Sequence, residues 1–266
     1  MKAACVMGVL LFILLGESAW AAGLADFARA HNVPVYEVEI TGEIPHSKES
    51  FTQGLLYQGG ALYESTGLYG KSTVRKLDPA TGEVLQSVAL DSDLFGEGLA
   101  YYEGQLVQLT WLENVALVWS LPDLARTKNY RYNGEGWGLT ADEHSFIMSN
   151  GSPWLYRRAF ADFSLVDSVA VIIAGRRVSG LNELECAAGR VYANLLGVDD
   201  IAEIDPATGV ITGVVDAAAL RDLVPGDPTR TPLNGIAYDS ASGEFFLTGK
   251  LWPEVFRVRF ITSFGE

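Results

Sequence analysis

Two ionisable side chains stand in settings suited to proton chemistry. Glu97 lies between Gly96 and Gly98, with Phe95 before it and Leu99 after it. Glycine permits close backbone approach, so another group can come near this carboxyl. Lys250 follows Gly249 in Leu247-Thr248-Gly249-Lys250-Leu251-Trp252. The carboxamides Gln53, Asn182 and Asn234 sit in comparable turns: Gln53-Gly54-Leu55, Leu181-Asn182 and Leu233-Asn234-Gly235-Ile236. Phe51, Phe95, Trp111 and Trp137 supply aromatic surface beside these turns. A carboxyl among aromatic rings is desolvated, and desolvation moves its pKa toward neutrality. There it can both accept and return a proton, as general acid–base catalysis requires.

Such residues act together only if the chain brings them to one place. A polar residue, a glycine and an aliphatic residue recur roughly every 40 to 50 residues, the period of a β-propeller blade. Phe51 to Leu90 reads as one four-stranded unit: Thr52–Tyr57, Ala61–Thr66, Thr73–Asp78 and Val84–Ala89. Its outer turn, Asp78-Pro79-Ala80-Thr81-Gly82, returns as Asp205-Pro206-Ala207-Thr208-Gly209. In this turn Pro presets the first dihedral and Gly takes the left-handed position. Further units run from Phe95 to about Tyr132, Gly136 to about Val171, Gly180 to Val215 and Leu233 to Phe260. The fifth lacks an outer strand. The alternating stretch Val33–Ile40 is expected to supply it, so that both chain ends share a sheet and no open edge remains. Gly42 to Glu49 reads as a loop, and Asp216–Leu223 as one short helix in an insertion. The fold class expected is therefore all-β, a five-bladed propeller closed by its terminal strands, in one domain over residues 22–266. On this wheel Gln53, Glu97, Trp137, Asn182 and Asn234 should meet at one mouth. Glu64, Trp111, Asn194 and Lys250 follow one strand later and should return to it. An aromatic hollow with few polar groups is the usual make-up of a ligand site.

Composition limits the function. The net charge of −14 argues against nucleic acid. Residues 1–21 read as a secretory signal peptide: Lys2, an apolar run from Ala3 to Leu15, and the cleavage site Ala19-Trp20-Ala21. The mature protein is then expected in the periplasm or outside the cell, with no membrane attachment. Cys5 leaves with the leader. Cys186, in an apolar run, reads as a buried structural thiol. The scarcity of His and Cys argues against a zinc site, and no metal or cofactor is expected. Gly96-x-Gly98 and Gly134-x-Gly136-x-Gly138 precede strands rather than a helix, so no dinucleotide fingerprint is present. Gly70-Lys71-Ser72 fails as a phosphate loop, because Ser65 stands where its first glycine would be.

These segments resemble the plant and bacterial type of glutaminyl-peptide cyclotransferase. The likeness is carried by Phe51-Thr52-Gln53-Gly54-Leu55, Leu62 to Gly70, Gly96-Glu97-Gly98-Leu99, Leu109-Thr110-Trp111, Gly136-Trp137-Gly138-Leu139, Leu181-Asn182-Glu183-Leu184-Glu185, Leu233 to Tyr238 and Leu247 to Pro253. The resemblance implies a five-bladed propeller. It also implies conversion of the N-terminal Gln of a peptide or protein to pyroglutamate, with loss of ammonia. Glu97 would shuttle the proton and Lys250 would steady the carbonyl oxygen. Gln53, Asn182 and Asn234 would hold the substrate, and Phe51, Phe95, Trp111 and Trp137 would wall the pocket. The protein is expected to act as a monomer. There are two departures: such relatives carry a Trp, part of the pocket wall, where Leu196 stands in Ala193-Asn194-Leu195-Leu196, and commonly an Asp where Asn150 stands in the turn Ser149-Asn150-Gly151-Ser152.

Two other readings compete. A secreted propeller that only binds peptide termini would keep the aromatic walls but would not need Glu97 or Lys250. A glycosidase would need two opposed carboxyl groups, for which Glu97 with Glu135 or Glu64 is the available set.

Overall fold

A computed structural model describes residues 23–262. The expected signal peptide lies outside the described residues. No helix among those described is long and apolar enough to cross a membrane.

Helix α1, Leu24–Ala30, opens the described chain and buries Leu24, Ala25 and Ala28. Strand β1, Val35–Pro45, follows. Four strands then form one antiparallel sheet in chain order: β2 Thr52–Gln58, β3 Ala61–Thr66, β4 Thr73–Leu77 and β5 Val84–Ala89. A second such sheet holds β6 Gly96–Tyr102, β7 Gln105–Thr110, β8 Val115–Ser120 and β9 Ala125–Arg131. A third holds β10 Leu139–Ala141, β11 Phe146–Met148, β12 Trp154–Arg158 and β13 Leu165–Ala170. A small hairpin, β14 Ile172–Ile173 and β15 Arg176–Arg177, leads to β16 Leu181–Ala187, β17 Arg190–Leu195, β18 Asp200–Ile204 and β19 Ile211–Asp216. Helix α2, Ala218–Arg221, precedes β20 Leu233–Asp239, β21 Glu244–Gly249 and β22 Glu254–Thr262. The last seven of these strands and β1 form one eight-stranded sheet, ordered β16-β17-β18-β19-β1-β22-β21-β20.

Strand β1 pairs antiparallel with β22 from Tyr36↔Thr262 to Pro45↔Glu254. It also meets β19 in parallel over Val35 to Glu37. The expected loop from Gly42 is therefore corrected: the strand continues to Pro45. The register shifts between Ile40 and Gly42, which leaves Thr41 as the extra residue while Gly42 pairs with Arg257, and pairing with β22 overrides the local turn signal.

The repeated Asp-Pro-x-x-Gly turns have one geometry. Asp78 Oδ1 accepts from the Ala80 and Thr81 amides, and Asp205 Oδ1 from those of Ala207 and Thr208. Gly82 and Gly209 both hold φ of +72°, the left-handed conformation the turn demands.

The core is divided between sheets. Leu56, Tyr63 and Val74 of the first pack with Leu99, Leu106 and Trp119 of the second. Ala100, Val107 and Leu109 of the second pack with Leu139, Phe146 and Met148 of the third. Ile147 and Leu155 meet Leu184, Ala193 and α1. Ile201 and Val215 meet Leu233, Phe245 and Phe256. Leu55, Leu62 and Leu77 meet Ile44, Phe246 and Val255. Each fully buried Leu or Phe stabilises by about 1.5–3 kcal/mol.

The first strands of successive sheets pack against one another: β2 on β6, β6 on β10, β10 on β16, β16 on β20, and β20 on β2. Glycines allow this approach. A Cβ on Gly54 would sit 2.7 Å from the Leu99 amide, and one on Gly98 would overlap that of Leu139. The strand starts that carry Gln53, Glu97 and Asn182 are thus drawn together.

Candidate active site

A cavity of about 160 Å³ opens where these strands begin. Phe51, Gln53, Phe95, Glu97, Trp111, Trp137, Asn182 and Lys250 line it. Eight of the nine residues singled out from the sequence therefore share one hollow. Asn234 does not line it. Its side chain is fully buried one layer behind, where Nδ2 donates to Thr52 O at 2.9 Å and to Gln53 Oε1 at 3.2 Å. Gln53 Nε2 in turn donates to Glu97 Oε1 at 3.1 Å. Asn234 thus orients Gln53, and Gln53 fixes one oxygen of Glu97.

Glu97 is 4% exposed and Lys250 8%. Burial pushes the Glu97 carboxyl well above the ordinary carboxylate range; Lys250 opposes this, and the charges of Glu135 and Glu113 add to it. Burial also lowers the Lys250 ammonium to about 8, with Glu97 pulling the other way. Among the described residues Lys250 forms no ion pair; Nζ stands 4.8 Å from the centre of the Phe51 ring. The site therefore offers a carboxyl of raised proton affinity and a desolvated ammonium facing one hollow. Aromatic contacts build its wall. Phe95 packs edge-on to Phe51, Tyr69 and Trp111, with centroids 6.3, 5.4 and 5.5 Å away.

The comparisons with known proteins bear on these same segments. The sequence model of the family described as "Glutamine cyclotransferase" matches residues 9–260. The chain belongs to the glutamine cyclotransferase family. It is 40% identical over 229 residues to a glutaminyl-peptide cyclotransferase of Arabidopsis thaliana, spanning 85% of this chain and 72% of that protein. Its fold matches the crystal structure of Myxococcus xanthus glutaminyl cyclase with a TM-score of 0.82 at 39% identity. That match covers 86% of this chain and 99% of the other.

Several contacts that build the cyclotransferase pocket escaped the sequence reading. Glu135 Oε2 accepts from both pocket indoles, Trp111 Nε1 at 2.8 Å and Trp137 Nε1 at 3.0 Å. Glu113 accepts from the Tyr69 hydroxyl at 2.8 Å and the Phe95 amide at 3.4 Å. Glu135 stands beside Trp137 in sequence, but nothing local shows that Trp111 shares its oxygen. Leu196, where relatives carry a Trp, lines the cavity as the sequence suggested, and Leu68, Thr229, Arg230 and Pro232 complete it. The last three come from the loop before β20, which reads only as an insertion in the sequence.

Two other expected neighbours lie elsewhere. Glu64 is fully buried, with Thr52 Oγ1 at 2.8 Å and His46 Nε2 at 2.9 Å. Asn194 Oδ1 accepts from the Gly235 amide at 2.9 Å. Neither lines the cavity. Of the three carboxyls Glu97, Glu135 and Glu64, only Glu97 lines the cavity, so the opposed carboxyl pair a glycosidase needs is not presented there. Cys186 is half-buried rather than buried. Burial, Glu185 and Asp142 push its thiol up to about 12, which leaves it inert as a nucleophile.

Proposed function

We propose that this protein is a glutaminyl-peptide cyclotransferase that closes the N-terminal Gln of peptides or proteins to pyroglutamate and releases ammonia. The observation that carries the reading is the opening of Glu97 and Lys250 onto one aromatic-walled cavity in a chain of this family. The substrate's side chain enters the hollow, with Asn182 and Gln53 offering its carboxamide hydrogen bonds. Its α-amine has an ordinary pKa of about 8 and must lose a proton before it attacks. Solvent takes that proton. The amine nitrogen then bonds to the side-chain carbonyl carbon and gives a second proton to Glu97, while Lys250 Nζ stabilises the negative charge growing on oxygen. Glu97 returns its proton to the amide nitrogen, the carbon–nitrogen bond breaks and ammonia leaves. Amine and amide belong to one residue, so holding it curled removes much of the entropic barrier.

The scaffold we propose is a five-bladed propeller in one domain. The ring of packed first strands and the division of the core between consecutive sheets support it. Asn234 acts through Gln53 rather than on the substrate. We further propose export with removal of residues 1–21, supported by the leader-like pattern there; N-terminal sequencing of the exported protein tests this.

The function is tested by mixing purified protein with a Gln-initiated peptide and measuring ammonia and the matching mass loss. The same peptide with an acetylated N-terminus must be inert, because its nitrogen cannot attack. Binding of the free peptide without ammonia release would replace the enzyme reading with that of a peptide-terminus binder.

A further inference from the structure

The two indoles that wall the pocket come from different parts of the chain. Trp111 follows β7, and Trp137 precedes β10. Their N–H groups nevertheless converge on a single oxygen, Glu135 Oε2, at 2.8 and 3.0 Å. Glu135 is itself held in place by backbone. The Gly136 amide donates to Trp111 O at 3.0 Å, and Asn114 Nδ2 donates to Gly134 O at 2.6 Å. Gly136 admits no side chain, because a Cβ there would overlap the Tyr132 hydroxyl. Behind its ring Trp137 lies flush on Gly151, where a Cβ would stand 2.7 Å from the indole. In front, Trp111 packs on Phe95, which precedes Glu97 by two residues.

We infer that Glu135 is a positioning residue of this cyclotransferase pocket: its one carboxylate oxygen locks both indoles as a unit and fixes the wall against which the substrate curls. The inference rests on the proposed function for the identity of the substrate, but not for the lock itself. A carboxylate oxygen carries enough lone-pair capacity for two donors, and charge-assisted bonds to it are stronger than neutral ones. Without it each indole can turn about its own side-chain bonds.

The lock has a second consequence, read through pH. Gln53 Nε2 bonds to Glu97, and the groups whose charge or ionisation bears on it are Lys250, Tyr132, Glu135 and Glu113. Glu135 is one of the two negative charges that help Glu97 keep its proton. Geometry and charge can be separated by two variants. E135Q keeps an amide oxygen for the indoles but removes the charge. E135A removes both.

The experiment has two arms. In the first, nitrogen-15 spectra of the indole N–H groups are recorded without substrate, with Trp111 and Trp137 assigned through W111F and W137F. The two signals should shift and broaden together in E135A and stay sharp in E135Q. In the second, kcat and KM for a Gln-initiated peptide are measured across pH. E135A should raise KM about 10- to 100-fold with a smaller fall in kcat. E135Q should hold KM within about threefold and move the acidic limb of kcat/KM to lower pH. Unchanged indole signals in E135A, or a KM there within about threefold of wild type, would overturn the inference. Should E135A not fold, E135S, whose hydroxyl is too short to reach both indoles, takes its place in both arms. A wild-type protein with no turnover would refute the cyclotransferase reading, and the indole arm would still judge the lock.

Discussion

Replacing Glu97 with Gln should move activity and stability in opposite directions. Gln is nearly isosteric, and its amide oxygen can still accept from Gln53 Nε2, now 3.1 Å from Glu97 Oε1. What disappears is the exchangeable proton. Proton shuttling by one side chain is worth about 10²- to 10⁴-fold, or about 3–5 kcal/mol of barrier. The kcat for ammonia release from a Gln-initiated peptide should fall by that factor, with KM little changed. Stability follows from the raised carboxyl. In the unfolded chain Glu titrates at about 4.3; in the fold, burial holds its proton to higher pH. Folding with Glu97 is therefore most favourable below the unfolded pKa. It loses free energy as pH rises toward and through the folded one. A carboxamide at this position does not titrate and carries no such dependence. Glu97→Gln should melt above wild type, and the gap should widen from acidic to neutral pH. Urea titrations at pH 5 and pH 7.5 give both numbers. A variant that turns over at the wild-type rate, or whose stability gap shrinks as pH rises, would remove Glu97 from the role argued here.

Three further outcomes follow. Lys250→Met should cut kcat about 10²- to 10³-fold, the cost of one missing charge-stabilising donor; wild type should also lose activity above about pH 8, where the ammonium is given up, and a flat alkaline profile would contradict this. His46→Ala should destabilise by up to about 3–5 kcal/mol in urea unfolding, because it removes the closer cation of a fully buried carboxylate and leaves Arg75 at 3.6 Å. Burial opposes charge on His46 and Glu64, but their mutual attraction outweighs it, raising the first and lowering the second. Gly98→Ala should lower the melting temperature sharply or prevent soluble expression, since its Cβ would overlap the Leu139 amide where first strands meet.

The sequence was readable where a feature is local and unreadable where it is shared. The Asp-Pro-x-x-Gly turns announce themselves through dihedral demands that only those residues meet, and the first sheet matches its expected strands to within a residue. Glu97 and Lys250 stood out because glycines and aromatics flank them. Gly42 and Pro45 misled, because a loop signal cannot reveal the partner strand that overrides it. Asn234 was assigned to the cavity because its turn matches the others, yet the Thr52 carbonyl and Gln53 claim its amide. Glu135 was visible as a residue but not as a shared acceptor.

The site and the joining of the chain ends are built from the same few residues. In an extended segment alternate side chains face opposite ways. Along residues 50–53, Phe51 and Gln53 line the cavity, while Ser50 and Thr52 turn to Glu64. Arg75 and His46 close that buried cluster, and His46 Nδ1 bonds to Trp252 O at 2.8 Å. The His46 amide donates to Pro253 O, and the Leu251 amide to Ser50 O. The turn that carries Lys250 is therefore stapled to the segment that carries Phe51, and both to the end of β1, which pairs with β22. The 4.8 Å approach of Lys250 Nζ to the Phe51 ring is a product of this stapling. A His46 variant that still folds should consequently lose activity as well as stability, measured as ammonia release from a Gln-initiated peptide. An active-site effect confined to Lys250 and Glu97 variants, with His46 variants fully active when folded, would show that the staple holds the fold and not the pocket.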